Sequence, residues 1–76
     1  MNKERRKQLD KAIAMLDEAK SIIESVRDEE QDAFDNMPES LQAGERGEKM
    51  ESAISLMDEV IDEIDSSLDN LNEASA

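Results

Sequence analysis

Met50-Glu-Ser-Ala-Ile54-Ser-Leu-Met57-Asp-Glu-Val-Ile61-Asp-Glu-Ile64-Asp-Ser-Ser-Leu68-Asp-Asn-Leu71 decides the fold. Its apolar anchors, Met50, Ile54, Met57, Ile61, Ile64, Leu68 and Leu71, follow one another at alternating steps of four and three. Ile54, Ile61 and Leu68 take heptad position a, while Met57, Ile64 and Leu71 take position d. A repeat of seven lags the 3.6-residue helical turn, which predicts a left-handed supercoil against a partner helix. No stretch of the chain alternates apolar and polar residues with the period of two that a half-buried strand shows.

The partner is the first half of the chain. Leu9, Ala12, Ile13, Leu16, Ala19, Ile22, Ile23 and Val26, continued by Ala33, Phe34 and Met37, mark one face of a helix. Asn2 is placed to cap it, and it is expected over about residues 3–36. Pro38 ends it, because the residue before a proline is pushed out of the helical region. Residues 37–47 hold the single Pro and both Gly and read as the turn. Within it, Pro38 to Leu41 suggests one helical turn, with Leu41 folding back onto Phe34. The second helix is expected over about 47–72, with 73–76 frayed. Ala12 to Ala19 also aligns with Ala53 to Val60, which makes the two halves equivalent helices.

The expected architecture is therefore all-α: one domain over 1–76, an antiparallel αα-hairpin with a coiled-coil-like seam. The expected seam residues are Leu9, Ile13, Leu16, Ile23, Val26 and Phe34 on the first helix. On the second they are Met50, Ile54, Met57, Ile61, Ile64, Leu68 and Leu71.

The 76 residues include 21 acidic and 9 basic side chains, for a net charge of −12, with no Cys and no His. Disulfides, thiol chemistry, zinc fingers and His-ligated metals are excluded by composition. The charge argues against direct contact with nucleic acid or an anionic membrane. No apolar run approaches a membrane span, and Met1-Asn-Lys-Glu-Arg-Arg6 leads into an amphipathic segment rather than a signal peptide. A reducing, cytoplasmic setting is expected. Charge also sets the orientation. Residues 1–27 carry seven basic and five acidic side chains, and residues 28–76 carry two and sixteen. An antiparallel hairpin is expected to bring Lys3, Arg5, Arg6, Lys7 and Lys11 against Asp62, Asp65, Asp69 and Glu73.

Catalytic chemistry finds little footing. The closest carboxylate pairs, Glu48/Glu51 and Glu59/Asp62, fall short of the magnesium-binding pattern of all-α nucleotide pyrophosphohydrolases, because Val60 and Ile61 belong to the apolar face. A di-iron carboxylate site needs His, which is absent. Gly44 and Gly47 read as turn residues rather than as a phosphate cradle. No catalytic, cofactor-binding or metal-binding residue is assigned, and the chain is expected not to be an enzyme.

The apolar arc is wider than a two-helix seam requires. Met15 and Ile22 flank it on the first helix, and Leu56 and Val60 flank it on the second. Small chains without a staple bury too little alone, so self-association into a dimeric four-helix bundle is expected. The stretch from Arg27 to Met50 resembles small acidic proteins of bacterial and phage or prophage genomes, most closely at Asn36-Met-Pro-Glu-Ser-Leu41 and Glu45-Arg-Gly-Glu48. That resemblance implies a small mobile-element protein of the kind that binds host machinery, in the bacterial cytoplasm. It carries over no functional residue.

Two functional readings follow. In the first, the chain is a protein–protein interaction module that self-associates and docks through its apolar face. In the second, its carboxylates imitate a nucleic-acid backbone and occupy the basic groove of a nuclease, polymerase or defence protein. The acidic surface for that role is expected to comprise Glu29, Glu30, Asp32, Asp35, Glu45, Glu48, Asp58, Glu59, Asp62 and Asp65. Salt separates the two readings, since screened charge contacts weaken as ionic strength rises.

Overall fold

The computed structural model describes all residues, 1–76. It contains three helices and no strand: α1 (Lys3–Asp35), α2 (Glu39–Gln42) and α3 (Glu45–Ser75). The long helices α1 and α3 pack against each other as a hairpin, drawn out into a rod of 58 × 14 × 13 Å. No helix is long and apolar enough to cross a membrane.

Each helix end has a local cause. The side chain of Asn2 accepts a hydrogen bond from the Arg5 backbone N–H at 2.8 Å, satisfying one of the free donors at the start of α1. At the other end Pro38 forces the break. The carbonyl of Phe34 is then free, and the Met37 N–H and the Gln42 side-chain amide, at 2.8 Å, both donate to it. Thus α2 is stitched to the end of α1 through Gln42. Leu41 is more than half exposed. The expectation that it would plug the apex is corrected, because the polar contact of Gln42 takes that inward position.

Gly44 caps α3 in an extended conformation, and the helix starts at Glu45, two residues ahead of the expected boundary. Gly47 is buried in its first turn. A Cβ built there would lie 2.0 Å from the Gln42 carbonyl oxygen, so α2 rests directly on the α3 backbone. This close approach folds the hinge tightly. The far end of α3 also departs from expectation: the helix continues through residues 73–75, with the Ser75 hydroxyl donating back to the Asn72 carbonyl.

The seam is thin. Ile54 is the one buried apolar residue, at 7% exposure, and the other inward side chains are half-buried. On α1 the central line of these is Leu9, Ile13, Leu16, Lys20, Ile23, Arg27, Glu30 and Phe34, ending at Met37 beyond the helix, with Ala12, Ala19 and Gln31 half-buried at its sides. The steps of the central line alternate four and three without a break, which is the heptad seam of α1. On α3 the seam is Gly47, Met50, Ile54, Met57, Ile61, Ile64, Leu68 and Leu71.

Candidate interaction surface

Two ion pairs cross the hairpin and mark its register. Arg27 Nε donates to Asp58 Oδ1 at 2.8 Å, and its second nitrogen reaches Oδ2 at 3.4 Å. The Lys20 ammonium pairs with Asp65. The residue numbers of each pair add to 85, as an antiparallel pair of helices requires. Within one residue of that register, Leu16 lies level with Leu68, Ile23 with Ile61 and Phe34 with Met50.

This register corrects two expectations. Asp65 is held by Lys20 and not by the basic start of the chain. Lys11 comes level with Glu73, and Lys3 to Lys7 run past the end of α3. None of Lys3, Arg5, Arg6, Lys7 or Lys11 forms an ion pair. The seam positions, which must interdigitate large side chains, set the offset, and weak surface attraction does not. Val26 is the second correction. It is 48% exposed and sits one position before the seam, where Arg27 takes the inward place. Hydrophobicity pointed to Val26, whereas the unbroken 4–3 spacing through Ile23, Arg27 and Glu30 is the signal that identifies the seam.

Arg27 and Lys20 are the seam residues that apolar patterning passed over. Both lean toward one edge of the hairpin. In an antiparallel pair, the e positions of the two helices face each other along one edge and the g positions along the other. The e edge carries Asp10, Asp17 and Glu24 from α1, and Glu51, Asp58 and Asp65 from α3. Hydrogen bonding to Asp65 raises the Lys20 pKa; desolvation opposes it, and the charges of Asp65, Glu24 and Asp17 add to the rise. The Arg27 pKa is likewise raised, first by its hydrogen bond to Asp58. Two cations planted in the seam thus hold an acidic edge together.

The opposite edge is apolar. Its g positions place Val26 level with Val60 and Ala33 level with Ala53, and Met15, Ile22 and Leu56 stand beside them at c positions. Ile22 is 58% exposed and Leu56 59%. Every exposed large hydrophobic residue of the paired helical stretches, namely Met15, Ile22, Val26, Leu56 and Val60, therefore lies on this one side. The surplus apolar width of the two helices is a single face.

The ten carboxylates expected to form an acidic surface do not lie together. Asp58 and Asp65 are engaged with Arg27 and Lys20 on the e edge. Glu30 is half-buried at a seam position. Glu59 and Asp62 lie on the outer face of α3, and Glu29 falls on the apolar side. Asp32, Asp35, Glu45 and Glu48 cluster at the hinge end and are exposed. Lys49 lies within 3.7 Å of Glu45, and no cation reaches the other three. At no point do three or more carboxylates converge in a geometry suited to a metal ion.

Compared with family models, with curated proteins and with solved structures, the chain matches none.

Proposed function

We propose that this chain is a non-enzymatic protein–protein interaction module, which self-associates and binds a further protein of the host cell or of the mobile element that its hinge sequence resembles. The observation that carries this reading is the gathering of Met15, Ile22, Val26, Leu56 and Val60 on one exposed side. A contiguous apolar face on so small a chain is costly to leave in water, and such faces mark contact sites. The e edge and the outer faces supply solubility through their charge.

The experiment compares three forms of the tagged chain as bait in host lysate, washed at low and then high salt. These are the unaltered chain, an Ile22→Asp/Leu56→Asp form, and a hinge form carrying Asp35→Asn, Glu45→Gln and Glu48→Gln. A protein retained at high salt by the first and third but lost by the second supports the proposal. A basic nucleic-acid enzyme released by salt, and lost only by the hinge form, replaces it with the nucleic-acid-mimic reading. Capture of nothing beyond a second copy leaves a self-contained structural protein.

A further inference from the structure

We infer that the apolar side is covered by a second copy of this chain, laid antiparallel to the first about a two-fold axis, with the basic start of each rod on the acidic hinge of the other. The inference rests on the reading of that side as a contact surface and adds its occupant and geometry. Three observations carry it.

The first is area. The chain exposes 5710 Å². A compact monomer of 8.5 kDa exposes roughly 4,700 Å² on the general scaling of folded surface with mass. The excess is about 1,000 Å², and a standard interface removes roughly 800 Å² from each partner. One further copy suffices to bring the rod to an ordinary surface.

The second is the charge of the side itself. A copy with a net charge of −12 is repelled by most of the molecule. Along the g and c positions, however, Arg5, Arg46 and Lys49 stand against only Glu29 and Glu63. The apolar side is thus close to neutral, at a net +1 against −12 for the whole chain, and two such chains meet there with little like-charge opposition.

The third selects the orientation. Closed two-fold symmetry allows two face-to-face arrangements of a rod. With the axis along the rods, both acidic hinges lie together and both basic starts lie together. With the axis across them, α1 crosses α1 of the partner in opposite direction. An axis through the centre of the apolar face, near Ile22 and Val26, then sets Lys7 and Lys11 level with the partner's hinge. Lys3, Arg5, Arg6, Lys7 and Lys11 have no ion-pair partner within their own chain. The hinge end carries Asp32, Asp35, Glu39 and Glu48, to which no cation reaches. Only the antiparallel arrangement joins the two unmet sets.

The test uses the absence of Cys from the chain. Gln8 and Asn36 are uncharged, exposed and on the apolar side, near opposite ends of α1. Gln8→Cys and Asn36→Cys chains are prepared separately, mixed, and treated with a short bismaleimide. The antiparallel dimer links Gln8→Cys to Asn36→Cys. The alternative arrangement holds these positions about 40 Å apart along the rod and gives no such link. Sedimentation equilibrium of the unaltered chain accompanies it. A mass of two chains together with the mixed cross-link is the expected result. Ile22→Asp/Leu56→Asp, altered only at exposed positions, is expected to become monomeric with its helical signal retained. A monomer at every accessible concentration, or a dimer without the mixed link, overturns the inference. A monomer that still captures a protein through Ile22 and Leu56 overturns the dimer alone and leaves the interaction module standing. An antiparallel dimer that captures nothing has the reverse consequence.

Discussion

Arg27 reaches Asp58 across the hairpin with two nitrogens, at 2.8 and 3.4 Å, from a seam position that an apolar side chain would ordinarily occupy. The same guanidinium touches Asp28 at 3.4 Å. Its stem fills the seam while its head neutralises the acidic edge, the division of labour that suits a long amphipathic side chain.

Replacing it separates those roles. Arg27→Met keeps the stem volume and leaves Asp58 facing Glu24 without a cation. The melting temperature is expected to fall, and to recover in part when Asp58→Asn is added. A double-mutant cycle on these two positions, followed by circular dichroism, should return a favourable coupling that shrinks as salt is raised. No coupling at low salt would show that the pair is incidental.

Lys20 adds a pH dependence of defined sign. Its pKa is raised in the folded chain by Asp65, so its contribution to stability is complete below the ordinary lysine value of 10.5 and is lost as pH climbs through the higher folded value. The chain and its Lys20→Gln form should therefore differ in melting temperature at pH 9 and converge above that range. A difference that stays constant through alkaline pH would exclude the linkage.

Ile54 is the one buried apolar side chain, at 7% exposure. Truncation to Ala is expected to cost about 2–5 kcal/mol. A core of this size supplies only about 3–5 kcal/mol in all, so urea denaturation should find most of the fold lost. Ile61→Asp with Ile64→Asp should abolish helicity and assembly together. Retained helicity in that double variant would contradict the seam.

The two glycines should respond in opposite directions. A Cβ at Gly47 meets the Gln42 backbone at 2.0 Å, and Gly47→Ala is expected to destabilise the hinge by about 1–3 kcal/mol. Gly44 has ordinary space around it and offers α3 no side-chain cap. Gly44→Ser should stabilise by about 0.5 kcal/mol, through a new cap and a less flexible unfolded chain. Chemical denaturation of both variants checks the contrast.

Much of this architecture is legible along the chain because it depends on local spacing. The 4–3 pattern from Met50 to Leu71 requires a helix with one apolar stripe, Asn2 has the side chain to cap α1, and Pro38 cannot continue it. The acidic surface was less legible. Exposure and charge of single residues can be guessed from type, but whether Asp58 and Asp65 are free depends on which cation stands opposite, and that is a property of the register.

By itself, then, the sequence determined two long amphipathic helices, the break between them at Met37-Pro38, and an apolar arc too wide for one seam. These follow from intrinsic backbone preference and from periodicity, which act within a few residues. Only the tertiary structure decided which stripe of α1 turns inward. Two frames compete there: Ala12, Met15, Ala19, Ile22, Val26 and Ala33 on one, and Leu9, Ile13, Leu16, Lys20, Ile23, Arg27, Glu30 and Phe34 on the other. The second is the less apolar, yet it faces α3, because its large side chains lie level with Leu71, Leu68, Ile61 and Met50, and its two cations meet Asp58 and Asp65. Energies of pairing between helices exist only once both are present, so no reading of α1 alone could rank the frames. The choice leaves Met15, Ile22, Val26 and Ala33 of the first stripe outside, beside Leu56 and Val60, and so creates the apolar side.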